Sequence, residues 1–171
     1  MLSFDIRSLE SEAAHVDGLL APEDPVWEDG DVRPSKPIKV SGRLSAAGPS
    51  RFYFSGAISG ETEVICSRCL TDVGVSVDED VHFIFSAEVD DSSDDPDVYP
   101  FDPQAVMLDL RAAIRETWLP AVPGFALCRE DCKGLCANCG TDLNTETCDC
   151  VSTVREDPWA ALRGIRDQLP D

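Results

Sequence analysis

The stretch CREDCKGLCANCG, residues 128–140, packs four of the chain's eight cysteines into one short run. Within it, Cys136-x2-Cys139 followed by Gly140 has the form of a knuckle, a tight turn that presents two thiolates while backbone N–H groups point at sulfur. Cys148-x-Cys150 follows after eight intervening residues. Two such pairs surround a tetrahedral Zn²⁺ at Zn–S near ~2.3 Å, and the loop Thr141–Thr147 is long enough to turn the second pair back. Free thiols fit this segment poorly, because Lys133, Asn138, Asp142 and Asp149 leave no apolar core in which to bury them. The reading assigns Cys136, Cys139, Cys148 and Cys150 to one zinc site. It makes the C-terminal part of the chain, residues 128–171, a module ordered by coordination.

Four cysteines remain. Cys66-x2-Cys69 falls between two strand candidates and so belongs at a hairpin tip, while Cys128-x3-Cys132 follows a helix expected to pack on the sheet. If the pairs meet, Cys66, Cys69, Cys128 and Cys132 form a second site, and the chain carries two zinc ions instead of one. Three alternatives stand beside this reading. One zinc ion drawn from Cys128, Cys132, Cys136 and Cys139 uses the same residues differently. A CxxC pair acting as a dithiol redox couple lacks the thioredoxin-like βαβ surroundings. Cys132-x3-Cys136-x2-Cys139 also has the spacing with which radical S-adenosylmethionine enzymes hold an iron–sulfur cluster, but those enzymes resemble α/β barrels with the motif early in the chain.

Composition narrows the setting. The 171 residues suit one main body plus a small appendage. Against 14 basic residues stand 33 acidic ones, a net charge of −19 that repels bare nucleic acid and favours basic partners. MLSFDIRSLE at the start lacks a positive region followed by an apolar run, and no later run approaches the ~20 apolar residues of a membrane helix. The expectation is a cytosolic protein without a membrane segment. In that reducing compartment cysteines serve as metal ligands more readily than as disulfides.

The body, residues 1–127, reads as antiparallel β. Leu2, Phe4 and Ile6 alternate with polar residues as a short first strand, whereas residues 7–34 admit either helix or loop. Ile38, Val40 and Leu44, then Phe52, Phe54 and Ile58, alternate with polar neighbours across the turn Ala47-Gly48-Pro49-Ser50. Glu61–Cys66 is a further strand candidate. After CSRC, Val73, Val75, Val77, Val81, Phe83 and Phe85 share one face, interrupted by Glu79, so Asp78-Glu79-Asp80 is expected to mark a bulge or bend. The acidic run EVDDSSDDPDVYPFD, residues 88–102, reads as a surface loop. Asp102-Pro103 resembles a helix start, with Val106, Leu110, Ile114 and Trp118 at helical spacing until Pro120. Asp157-Pro158 repeats that signal before Trp159, Leu162, Ile165 and Leu169, and no other internal repeat is apparent. The fold class is therefore α+β: an antiparallel sheet or partly open barrel-like body covered by a helix, then a cysteine-rich zinc module and a short terminal helix.

Catalytic constellations are thin. His15 and His82 read as surface residues, no nucleophile sits beside a base, and no Gly-rich phosphate loop occurs. Arg33, Lys36, Lys39, Arg43, Arg51 and Arg68 make the stretch 33–75 the one basic region; solvated strand faces explain it, and a polyanion contact is the alternative.

CSRC after an antiparallel run, LPAVP closing a helix, CREDCKGLCANCGTDLN with CDC, and a final DPWAALRGI together resemble the YceD-type bacterial and plastid proteins. The likeness runs from about Val40 to Leu169. It implies a non-enzymatic factor in ribosome biogenesis that supports accumulation of 23S ribosomal RNA and large-subunit assembly, with zinc in a structural role. A basic ribosomal protein or a ribosomal precursor particle is then the expected partner, with direct rRNA contact left open. A zinc-dependent redox sensor or chaperone-like protein, and an iron–sulfur enzyme, are the competing functions.

Overall fold

A computed structural model describes residues 1–87 and 98–150 of the chain. The elements run β1 (Ser3–Asp5), α1 (Ile6–Ser11), β2 (Ala14–Leu20), β3 (Ile38–Ala46), β4 (Arg51–Ile65), β5 (Asp72–Ser86), β6 (Val98–Pro100), β7 (Met107–Asp109) and α2 (Arg111–Ala121). The expected terminal helix with Trp159, Leu162, Ile165 and Leu169 lies outside the described residues.

Five strands form one open sheet in the order β2-β3-β4-β5-β6. It is antiparallel except for the pair β5 and β6, which run parallel. Strands β2 and β6 stand at opposite edges, so among the described residues no barrel closes. Period-two patterning explains why one face is buried. Val16 and Leu20 of β2, Ile38, Val40 and Leu44 of β3, Phe52, Phe54 and Ile58 of β4, and Val77, Val81, Phe83 and Phe85 of β5 form a single apolar cluster.

Helix α2 closes that cluster with Ala113, Ile114 and Trp118. Trp118 is fully buried, and its indole Nε1 donates to the Val32 carbonyl at 2.8 Å. Its ring lies over Gly60, where an added Cβ would come within 2.8 Å of it, so the sheet gives up a side chain to let the indole approach. Arg115 reaches from the same helix to Asp31, Nε to Oδ2 at 2.6 Å and Nη2 to Oδ1 at 3.0 Å, and ties down the segment between β2 and β3.

Several elements differ from the sequence expectations. The candidate strand Glu61–Cys66 is no separate element, because β4 runs unbroken from Arg51 to Ile65. Strand β5 pairs with it residue for residue, Glu79 opposite Ile58 and Asp80 opposite Ala57, so there is no bulge. Glu79 stays exposed, because among the described residues β6 covers only Ile84–Ser86 and leaves the middle of β5 as an edge from which a carboxylate reaches water. Within the expected 88–102 loop, Val98–Pro100 is strand, and the Tyr99 ring packs edge-on to Phe83 at 5.5 Å.

The covering helix starts at Arg111, eight residues after Pro103. Asp102 caps a turn instead, accepting from Gln104 N at 2.8 Å; Val106 is exposed; and Met107–Asp109 pairs antiparallel with β1, burying Leu108 opposite Phe4. Pro120 sits inside the last turn, where its missing N–H costs one helical bond, and the helix stops one residue later. The first strand ends at Asp5, and Ile6, expected in it, opens α1, whose N-cap Asp5 accepts from Ser8 N at 3.0 Å; the undecided segment 7–34 supplies the rest of α1 and β2.

Candidate metal centres

A small second cluster of buried residues, Cys66, Cys69 and Cys132 with Val73, Leu127 and Leu135 against it, lies at the β4–β5 hairpin tip. The hairpin ends in a knuckle. Cys66 N donates to Thr71 O at 2.8 Å and Leu70 N to Cys66 O at 3.0 Å, while Leu70 takes a left-handed conformation with φ 61°. Cys136–Thr141 repeats the same turn: Cys136 N to Thr141 O at 2.8 Å, Gly140 N to Cys136 O at 2.9 Å, and Gly140 at φ 74°. In each knuckle a threonine hydroxyl lies 3.1 Å from the second cysteine's sulfur, Thr71 on Cys69 and Thr141 on Cys139. Sequence reasoning missed both threonines and found no such repeat. The signal was present as C-x2-C-x-T in CSRCLT and again in CANCGT.

The structure brings the cysteines together as two tetrads. Cys66, Cys69, Cys128 and Cys132 form one, Cys136, Cys139, Cys148 and Cys150 the other, and within each all sulfurs lie within 4.8 Å of one another. A bridge between Cys66 and Ala126, with Ser67 N donating to Ala126 O at 2.8 Å, carries Cys128 and Cys132 to the hairpin tip. None of the eight is joined in a disulfide. A tetrahedron of sulfurs at ~2.3 Å from Zn²⁺ has edges of about 3.8 Å. The Cys66–Cys132 and Cys69–Cys128 sulfurs stand at 3.9 and 3.5 Å, so the donor set and its spacing fit a thiophilic divalent ion.

Electrostatics within each tetrad point the same way. Backbone N–H groups of the knuckle, that of Cys69 foremost, draw the Cys66 thiol down to about 6. The Thr141 hydroxyl and N–H do the same for Cys139, also to about 6. Their neighbours move the other way. The Cys69 sulfur pushes Cys128 up to about 12, and the Cys139 sulfur pushes Cys150 up to about 12. Thiolates this close resist ionising together, and a bound cation removes that opposition.

The basic residues of 33–75 are spread over several elements, with Lys36 and Lys39 lining one groove with Glu61. Lys36 Nζ pairs with Glu61 Oε2 at 2.6 Å, and Arg68 Nη1 donates to the Cys132 carbonyl at 2.8 Å. Lys39 and Arg43 lie on the outer face of β3, their neighbours on β5 across the sheet being Asp78 and His82. Arg51 opens β4 and Arg33 is exposed before β3. His82 Nδ1 shares a hydrogen bond with Tyr53 Oη at 2.8 Å, and His15 is exposed on β2. Among the described residues no helix is long and apolar enough to cross a membrane.

The family model for the large ribosomal RNA subunit accumulation protein YceD matches residues 54–166, which takes in both tetrads. A chloroplastic protein of Arabidopsis thaliana, named as a YCED homolog of the large ribosomal RNA subunit accumulation protein, is 30% identical over 69 residues, 40% of this chain and 22% of its own. An uncharacterized protein of Mycobacterium leprae (strain TN) is 31% identical over 111 residues, 63% of this chain and 49% of its own. The matches thus span half or less of the length of these relatives. No solved structure matches the chain.

Proposed function

The chain belongs to the YceD family, and from that premise we propose that it is a non-enzymatic cytoplasmic factor supporting accumulation of large-subunit ribosomal RNA, with both tetrads holding structural zinc. The observation that carries the zinc assignment is the pair of four-cysteine tetrads, each with its sulfurs within 4.8 Å of one another and two spacings of the first near the edge of a ZnS₄ tetrahedron. The family name supports the ribosomal part. Zinc here is scaffolding: four thiolates per site close the coordination sphere and leave no open position for substrate or water. The net charge of −19 favours a basic partner, such as a ribosomal protein or a precursor particle whose positive surface it shields before assembly.

Two measurements test this. Metal analysis of protein purified without oxygen is expected to return two zinc ions per chain. Deletion in the native host is expected to lower mature 23S rRNA and shift ribosome profiles; unchanged profiles overturn the ribosomal assignment.

A second reading has its own observation. Cys139 is exposed and drawn towards thiolate, which suits oxidation with metal release. Reversible loss of zinc with peroxide, accompanied by a change in cellular function, would favour a redox sensor.

A further inference from the structure

The loop that joins the two ligand pairs of the second tetrad is bonded to a ligand of the first. Asn144 lies in that loop, between Cys139 and Cys148. Its Nδ2 donates to the Cys132 sulfur at 3.5 Å and to Asp142 Oδ1 at 2.6 Å, while its Oδ1 accepts from Lys133 N at 2.8 Å. The surrounding backbone fixes its position. Leu143 N donates to Gly134 O at 2.9 Å, Leu135 bridges to Asp142, and Leu135 N donates to Arg68 O at 3.0 Å inside the first knuckle. Gly134, at φ 75°, allows this approach, since a Cβ there would stand 2.9 Å from the Arg68 carbonyl oxygen.

Cys132 is buried, so the Asn144 amide N–H on its sulfur supplies a charge-offsetting hydrogen bond where water has little access. We infer that Asn144 is a positioning residue that couples the two metal centres: closing the second site around its ion sets the loop that places the Asn144 amide on Cys132, and so tightens the first. The inference rests on the proposed zinc sites and adds that they fill cooperatively. Coupling is reciprocal, so loading the first site favours the second by the same factor.

The test uses the full chain, freed of metal under reducing conditions and titrated with Co²⁺ and, separately, ¹¹³Cd²⁺. Two ions are expected, with sulfur-to-cobalt charge-transfer bands and two cadmium resonances. In Asn144→Ala, affinity at the first site is expected to fall about 10–100-fold, the usual cost of losing such a ligand-supporting bond, with one cadmium resonance displaced. Asn144→Asp keeps the acceptor for Lys133 N but loses the donor, so it should do no better. Cys148→Ser with Cys150→Ser should weaken the first site by a similar factor, and adding Asn144→Ala to that pair should have little further effect.

Circular dichroism of each metal-loaded variant verifies that the β body is folded. First-site affinity within twofold of the parent in both Asn144→Ala and the double serine variant overturns the coupling while leaving two metal sites in place. Absence of charge-transfer bands in the parent protein overturns the metal reading, and this inference with it.

Discussion

Removing metal should unfold the cysteine-rich region and leave the sheet intact, because the two rest on different sources of stability. Ordering the 23 residues 128–150 costs on the order of 35 kcal/mol at ~1.5 kcal/mol each. The cluster of Cys66, Cys69 and Cys132, with partly buried Val73, Leu127 and Leu135, returns only about 8 kcal/mol by apolar burial. Structural zinc in cysteine-rich sites contributes ~10–16 kcal/mol per ion, a figure already net of ordering the ligand loops, so coordination and not burial is what holds this segment. The sheet and α2 have their own larger cluster and owe nothing to the cysteines. Hydrogen exchange with peptide-level mass spectrometry, with and without a chelator under reducing conditions, is the assay. Protection should collapse in 128–150 and in the 66–71 knuckle but persist in β3, β4 and the second half of β5. Equal protection in both conditions would refute the coordination argument, and simultaneous loss everywhere would refute the separation of the two clusters.

Other expectations follow from single sites. Gly56 faces Gly42 across the β3–β4 pair, and a Cβ at Gly56 would fall 2.2 Å from the Ser41 carbonyl oxygen, so Gly56→Ala should cost about 3 kcal/mol in urea unfolding. Gly74→Ala, with open space around it, should change stability by at most about 1 kcal/mol, and equal effects of the two would contradict the packing described. The Arg115 guanidinium holds Asp31 below its ordinary 3.8, so this pair's contribution is complete above that pH and is lost as pH falls through the lower folded value. Asp31→Asn should therefore lower the urea midpoint at pH 7, with the gap from the parent protein narrowing under acid; a gap independent of pH would sink that account.

Much of this protein is legible in its residues alone, for a local reason. The alternation of Ile38, Val40 and Leu44, and of Phe52, Phe54 and Ile58, sorts side chains to two faces before any partner strand is known, and the knuckle needs only C-x2-C and the turn that follows it. What lies far apart in the chain depended on the folded structure. Met107–Asp109 is too short to display a period, and Val106 to Trp118 satisfies helical spacing, so only pairing with Ser3–Asp5 makes it strand. Glu79 looked like a fault in a strand until the edge position of β5 showed its route to water. The donation from Asn144 to Cys132 requires two loops to be seated against each other, and no spacing of cysteines announces it. Local chemistry determined which residues were suited to bind; the long-range register of the sheet and the Cys66–Ala126 bridge decided which of them meet, because contacts between distant segments are set by packing and not by sequence neighbours.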